Sequence, residues 1–261
     1  MAEAATTIDL FAGTLPLSFA DQGEGRTFLL LHGGAGPASF ATFAAALARE
    51  GNRVITPIHP GFNGKPRPEW LSTIAGLATA YLALVEHLDL SQVTVVGNSV
   101  GGWIAAEMAL RNSPRVAAAV LINAVGIDTG SPDKKIVNPM DVEPAERAKL
   151  AFHDQKFTVA PSTPEAMVVM RSNLETLSVY AGQPFMHDPA FRDRLGKMTS
   201  PVLVAWGIED GIIDLEYGRR YADSIPGSVF KPIADAGHFP QIEKPDAVLG
   251  AINDFLRVVS R

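Results

Sequence analysis

VVGNSVGGW (residues 95–103) runs from an apolar stretch into a knot of glycines around one serine, with the spacing Gly97-x-Ser99-x-Gly101. The run QVTVVG (92–97) predicts a strand, and the mostly apolar stretch from Gly101 to Asn112 predicts a helix buried against a central sheet. A strand that turns sharply into a helix forces the intervening residue into a strained backbone, which is tolerated only where the flanking positions lack bulk. Gly97 and Gly101 meet that need. The Ser99 hydroxyl then stands at the sheet edge, above a helix N-terminus whose free N–H groups favour negative charge. The spacing alone would occur by chance in roughly one chain in ten of this length. The strand before and the helix after are what raise it above a solvated serine in a turn.

Working outward, short β-rich runs alternate with longer helical patterns, the signature of a parallel sheet covered by helices. The strand candidates are TFLLLH (27–32), RVITPI (53–58), QVTVVG (92–97), VAAAVLIN (116–123), PVLVAW (201–206) and SVFKPI (228–233). Most are apolar almost throughout, as strands buried on both faces should be. The opening TIDLFAGTLPLSFADQG reads as two strands around a turn at Gly13, forming an antiparallel edge. Trp70, Ile74, Leu77, Tyr81, Leu84 and Leu88 step by three or four, which predicts a helix from Trp70 to Leu88. Val248, Ile252, Phe255 and Val259 predict a last helix packing back on the sheet.

The alternation stops between Gly126 and Thr199, where Pro132, Pro139, Pro144, Pro161, Pro164, Pro184 and Pro189 punctuate short helical pieces. That length without a strand is too long for a single crossover. It reads as a helical lid, residues 127–199, inserted into a core of residues 1–126 and 200–261; the alternative is a long irregular surface loop. Phe152, Phe157, Met167, Met170, Leu174, Leu177, Tyr180, Phe185 and Met186 supply apolar surface there, either to meet a ligand or to pack the insertion down.

Composition narrows the function. Formal net charge is −6, with 22 Lys and Arg against 28 Asp and Glu, which argues against nucleic acid or an anionic membrane as partner. The chain has no cysteine, so disulfides, thiolate metal sites and cysteine nucleophiles are excluded. MAEAATTIDLF carries acid where a signal peptide needs a basic segment, and VAAAVLINAVGI (116–127) is too short to span a bilayer, so a cytoplasmic location is expected.

A serine nucleophile needs a base, and the base an orienting carboxylate. Of the six histidines, His87 reads as a surface helix residue, and His153 and His187 fall in the proposed lid. His32 reads as a buried brace for the following GGAG, and His59 sits in the turn-rich HPGFNG. His238, in DAGHFPQIEKP, follows the last strand in a loop of small residues that can hold an imidazole at the same sheet edge as Ser99. For the acid, Asp210 in VLVAWGIEDGIID follows its strand closely, with Glu209 and Asp214 as neighbours in the same loop and Asp128 as the rival position after the preceding strand. Asp235 lies too near His238 in sequence to reach the far side of the ring. An oxyanion hole needs two N–H donors: Val100 offers one, and HGGAGP lets the backbone approach closely enough for a second, Gly34 first and Gly33 next.

LLLHGGAG, HPGFNG, VVGNSVGGW, LVAWGIEDGIID and DAGHFPQIEKP together resemble the successive landmarks of the α/β-hydrolase fold family, from about residue 15 to the end apart from the lid. The resemblance implies an eight-stranded, mostly parallel α/β sheet with helices on both faces and a helical lid after the sixth strand. It implies Ser99 as nucleophile, His238 as base, Asp210 as acid, and Gly34 and Val100 as oxyanion donors. Many relatives carry another polar or charged residue where His59 stands, so its role is open. Serine at position 99 argues against the dehalogenase and epoxide hydrolase branches, which use aspartate there. HGGAGP and GNSVGG are also similar to the meta-cleavage-product hydrolases, which split carbon–carbon bonds in vinylogous diketones. Those relatives usually carry tryptophan after the catalytic histidine, where this chain has Phe239, and use a cation to hold the substrate carboxylate. Arg171, in AMVVMRSNLETL, is the candidate cation, and Gly33 and Phe239 are further candidate substrate contacts.

The expected activity is hydrolysis of a small to medium, partly apolar ester or lactone through an acyl-enzyme. The alternatives are a carbon–carbon hydrolase of the meta-cleavage-product type and a triad-retaining ligand sensor with little turnover. A monomer or homodimer working on a small molecule, without metal or cofactor, completes the expectation.

Overall fold

The central strands are apolar along both faces because helices cover both. The computed structural model describes residues 3–131, 134–158 and 161–259. The chain opens with the hairpin β1 (Glu3–Leu10) and β2 (Gly13–Gln22), then runs β3 (Arg26–Leu31), α1 (Ala41–Arg49), β4 (Asn52–Pro57), α2 (Ile74–His87), β5 (Val93–Asn98), α3 (Val100–Leu110) and β6 (Val116–Ile122). After α4 (Pro144–Ala151), α5 (Pro164–Ala181) and α6 (Phe191–Leu195) the sheet resumes with β7 (Val202–Gly207), α7 (Leu215–Asp223) and β8 (Val229–Ile233), and the chain closes with α8 (Pro240–Glu243) and α9 (Pro245–Val259).

The eight described strands lie in the order β1-β2-β4-β3-β5-β6-β7-β8. β1, β2 and β4 pair antiparallel, and β4, β3, β5, β6, β7 and β8 pair parallel. Alternate side chains go to opposite faces. Leu29, Leu31, Val93, Val95, Leu121, Val204 and Trp206 pack with α2 and α3, while Phe28, Leu30, Val96, Val120, Ile122 and Leu203 pack with α1 and α9. In α9 the buried residues Val248, Leu249, Ile252, Phe255 and Leu256 form one stripe. Burying each such side chain stabilises by about 1.5–3 kcal/mol, so the helix contributes on the order of the whole domain's net stability.

The connection from β3 to β4 runs one way along the sheet, and β5 returns to the other side of β3. Such a reversal opens a crevice beyond the C-terminal ends of the two strands, here β3 and β5. Ser99 follows β5 at that crevice, and the glycine loop follows β3.

The bounds of β3 to β8 match the sequence reading to within a residue, while β1 begins at Glu3, four residues before the Thr7 at which the antiparallel edge is read. One helix differs: α2 begins at Ile74, not Trp70, because the Thr73 hydroxyl caps it by accepting the Gly76 N–H at 3.0 Å. Trp70 precedes the cap and lies half exposed against the Gly13 turn.

Between β6 and β7 no described residue forms a strand, and Pro132 of the proline series lies outside the described residues. The insertion docks through apolar residues that join the core, Leu177, Tyr180, Met186 and Phe191 among them, and through polar contacts. On α5, Asn173 Oδ1 accepts the Asn63 N–H at 2.8 Å, the Thr176 hydroxyl donates to the Gly61 carbonyl at 2.9 Å, and the Tyr180 hydroxyl donates to the Pro60 carbonyl at 3.0 Å. The end of α4 accepts Gly211 N–H on Leu150 O at 2.9 Å and His238 N–H on Ala151 O at 2.8 Å. On α6, Arg194 pairs with the buried Glu107 of α3 at 2.7 Å. The loops it touches follow β4, β7 and β8, so the insertion covers the edge where Ser99 lies. No described helix is long and apolar enough to cross a membrane.

Candidate active site

Ser99 is the residue between β5 and α3, with φ +56° and ψ −121°, a conformation an L-residue adopts only under strain. Its N–H donates to Ile122 O at 3.0 Å, and its carbonyl accepts Trp103 N–H at 3.2 Å, so the first turn of α3 and the end of β6 fix the strained residue. A Cβ on Gly97 would lie 2.0 Å from the Gly101 carbonyl oxygen, and one on Gly101 would lie 2.0 Å from the Leu31 carbonyl oxygen. Both obstacles are backbone. The two glycines are what allow so sharp a turn.

His238 Nδ1–H donates to Asp210 Oδ2 at 2.8 Å, and both residues are buried. Asp210 is gripped from every side. Its Oδ1 accepts the N–H groups of Ile212 at 2.8 Å and Ile213 at 3.2 Å, and its Oδ2 also accepts Asn123 Nδ2–H at 2.7 Å. The other candidate acids are engaged elsewhere: Asp214 caps α7 and pairs with Lys134, Asp128 pairs with Arg220, and Asp235 with Lys244.

Asn98 ties the serine to the histidine. It donates through Nδ2 to the His238 carbonyl at 2.9 Å and to Ile122 O at 3.2 Å, one residue before Ser99. No hydrogen bond joins the Ser99 hydroxyl to the His238 ring among the described residues; in unliganded enzymes such bonds are often long and tighten only when substrate binds. The loop after β3 closes the other side. A Cβ on Gly33 would lie 3.0 Å from the Ser99 Cβ, so that loop and the elbow touch. Gly34 lies in a turn closed by Gly36 N–H on Gly33 O at 3.1 Å, and Val100 is the first residue of α3. Neither the Gly34 nor the Val100 N–H donates to another group among the described residues.

Behind the loop, His32 and His59 are fully buried, their rings stacked 3.8 Å apart. His32 Nδ1–H donates to Gly33 O at 2.8 Å, and His32 Nε2 accepts the His59 N–H at 3.1 Å. Burial lowers the His32 pKa to about 4 and holds that of His59 well below the usual histidine range. The unfolded chain, with histidines near 6.5, binds more protons between those values, so the stability that neutral His32 contributes is complete above about pH 6.5 and declines as the pH falls towards 4. The loss from His32 alone is about 3 kcal/mol. Urea denaturation at pH 7.5 and 4.5 should therefore show a markedly lower midpoint in acid, with much of the difference absent in His32→Asn; equal midpoints for the wild type would contradict the buried neutral pair.

Ser99, His238, Asp210, Gly33, Gly34 and Val100 thus gather at one sheet edge. Phe239 joins them beside His238, ring centroids 5.1 Å apart, and Phe152 of the insertion lies against it at 5.2 Å. Arg171 does not join them. It is exposed on α5, about 160° around the helix from the docked Asn173 at 100° per residue. Of the apolar residues in the insertion, Leu177, Tyr180 and Met186 are buried, while Met167 is exposed. The sequence reading also passed over Asn98, Asn123 and Glu243. Glu243 is buried, its carboxylate accepting Gly237 N–H at 2.6 Å and Asp154 N–H at 2.8 Å, which links the histidine loop to the insertion. A polar residue ending an apolar strand, as Asn98 and Asn123 do, was the available signal.

A model of the alpha/beta hydrolase fold family matches residues 26–245, and the chain belongs to that family and is a hydrolase. Among curated proteins it is 29% identical, over 93% of this chain and 92% of the other, to 2-hydroxy-6-oxononadienedioate/2-hydroxy-6-oxononatrienedioate hydrolase 2 of Pseudomonas putida. It is 28% identical, over 93% and 91%, to the enzyme of the same substrates from Escherichia coli K12. Among solved structures, a thermophilic esterase from Thermogutta terrifontis superposes with a TM-score of 0.77 at 27% identity, covering 99% of each chain. The meta-cleavage product hydrolase of Pseudomonas fluorescens IP01 superposes with a TM-score of 0.78 at 22% identity, covering 97% of each.

Proposed function

We propose that the chain hydrolyses carbonyl compounds through a covalent intermediate on Ser99, and that its substrates are vinylogous diketones cleaved at a carbon–carbon bond. The observation that carries the chemistry is the buried His238–Asp210 pair, 2.8 Å apart, beside the strained Ser99 elbow. The observation that favours the substrate class is similarity over nearly full length to hydrolases named for 2-hydroxy-6-oxo dienedioates. In the first half-reaction His238 Nε2 takes the Ser99 proton as Oγ bonds to the carbonyl carbon, and the oxyanion accepts the Gly34 and Val100 N–H groups. Collapse breaks the bond to the leaving carbon or oxygen, which takes the proton from His238. A water then gives a proton to His238 as its oxygen bonds to the acyl carbon, and the bond to Oγ breaks as His238 returns that proton to Ser99, releasing the acid. Asp210 holds the imidazole with its proton on Nδ1 throughout. Residues 127–199 act as the lid over this site, with Phe152 and Phe239 on its apolar wall.

An ester or lactone substrate is the second reading. It is favoured by Phe239 standing where carbon–carbon hydrolases usually have tryptophan, and by Arg171 lying on the outer face of α5, away from the docked stripe. Parallel assays separate the two. A chromogenic 2-hydroxy-6-oxo dienoate should be turned over with a kcat/KM at least about tenfold above that of any short-chain aryl ester. Turnover of esters alone would establish the second reading and reject the first.

A further inference from the structure

The Gly34 N–H belongs to a trans peptide whose other end is the Gly33 carbonyl, and the two point in opposite directions across one rigid plane. Whatever holds the Gly33 carbonyl therefore aims the Gly34 N–H. That carbonyl accepts two hydrogen bonds, from Gly36 N–H at 3.1 Å and from His32 Nδ1–H at 2.8 Å. His32 must carry its proton on Nδ1 to make the second, and its Nε2 is correspondingly an acceptor for the His59 N–H.

His59 continues the chain of requirements. Its Nε2–H donates to the His32 carbonyl at 2.8 Å, which leaves Nδ1 to accept the Tyr81 hydroxyl proton at 2.5 Å. The reverse tautomer would set the Nε2 lone pair against the His32 carbonyl oxygen, leaving both buried and unpaired. All four ring nitrogens thus have one partner of fixed sense. Tyr81, buried on α2, is the far end of the row, and Phe62 closes it, its ring roughly perpendicular to both imidazoles with centroids 4.9 Å from that of His32 and 5.8 Å from that of His59.

We propose that His59 and Tyr81 are positioning residues for the oxyanion donor: Tyr81 satisfies and holds Nδ1 of the His59 tautomer that the His32 carbonyl requires, His59 fixes His32 in place, and His32 holds the peptide that presents the Gly34 N–H. The inference rests on the reading of Gly34 as an oxyanion donor and Ser99 as nucleophile. Burial, which keeps both imidazoles neutral at pH 7, supplies the condition that the tautomers require. A role confined to packing would lower stability when disturbed and leave the chemical step alone. Misaiming a donor used only in the transition state lowers kcat and kcat/KM together and leaves KM in place.

The test is Tyr81→Phe, which removes one hydroxyl and keeps the ring, assayed beside Ser99→Ala on whichever substrate the wild type turns over. The expected kcat is lower by about tenfold with KM within about twofold, a fraction of what losing the donor outright would cost. His59→Gln, which retains a side-chain N–H for the His32 carbonyl, should keep more of the wild-type kcat than His59→Leu. Independently of activity, ¹⁵N spectra of the imidazoles in the full-length protein should show His32 protonated on Nδ1 and His59 on Nε2, with the His59 pattern altered in Tyr81→Phe. Wild-type kcat in Tyr81→Phe while Ser99→Ala is inactive would overturn the relay and leave the site reading standing. The opposite tautomers in the wild-type spectra would overturn the relay even if no variant folds. Full turnover by Ser99→Ala would overturn the site reading and the relay with it.

Discussion

Ser99→Ala should lower kcat by at least about 10⁴-fold, because the covalent route is then closed and only the oxyanion donors and binding remain to assist water. The same substitution should change stability by less than about 1 kcal/mol. The Ser99 hydroxyl donates to and accepts from no described group, and the elbow is held by the backbone bonds to Ile122 and Trp103, which alanine keeps. Steady-state kinetics and a urea denaturation curve on the same preparation check both halves. Loss of activity with an unchanged midpoint is the expected pair. A parallel collapse of both would mean that Ser99 is structural.

Asp210→Asn should cost about as much in turnover, near 10⁴-fold, for a different reason. Four donors converge on this carboxylate: Ile212 and Ile213 N–H on Oδ1, and Asn123 and His238 on Oδ2. An amide oxygen can serve the two backbone donors, but its NH₂ then faces two further donors. His238 can answer only by turning Nδ1 into an acceptor, which moves its proton to Nε2 and leaves nothing to receive the Ser99 proton. The remaining clash with Asn123 leaves a buried donor unpaired, at about 1–3 kcal/mol of stability. Asp210→Asn should therefore be both inactive and less stable, unlike Ser99→Ala. Retention of turnover within tenfold of wild type would show that the pair does not set the histidine tautomer.

The central strands were legible because they are buried on both sides: Phe28 and Leu30 face α1 and α9 while Leu29 and Leu31 face α2 and α3, so the run is apolar without interruption. The elbow was legible because its glycines are demanded by backbone contacts within a few residues and by the neighbouring strand. At the start of α2 the apolar step from Trp70 overshoots the helix, whose N-terminus is set by the capping hydroxyl of Thr73. α5 was harder. Its docked face mixes Asn173 and Thr176 with Leu177, Tyr180 and Ala181, whereas Met167 and Val168 are exposed, because the helix rests on loop carbonyls and amides of residues 60–63 as well as on the apolar core. Hydrophobic spacing could not say which face Arg171 occupies on such a helix. Asn98 and Asn123 reach partners 140 and 87 residues away in the chain, and no local pattern encodes contacts of that range. The row from Tyr81 through His59 to His32 was hidden for the same reason: His32 stands in the connection after β3, His59 and Tyr81 at separate points of the connection after β4, and only the fold brings them into line.

The most direct test of the account is to treat the full-length protein with a fluorophosphonate and locate the adduct by peptide mass spectrometry. The phosphorus forms a bond only to an activated hydroxyl and releases fluoride, so the label reports on nucleophile activation without any assumption about the natural substrate. A single adduct on the peptide containing Ser99, absent in Ser99→Ala and strongly slowed in Asp210→Asn, is the predicted result. An adduct on another residue, or labelling that persists in Ser99→Ala, would contradict it.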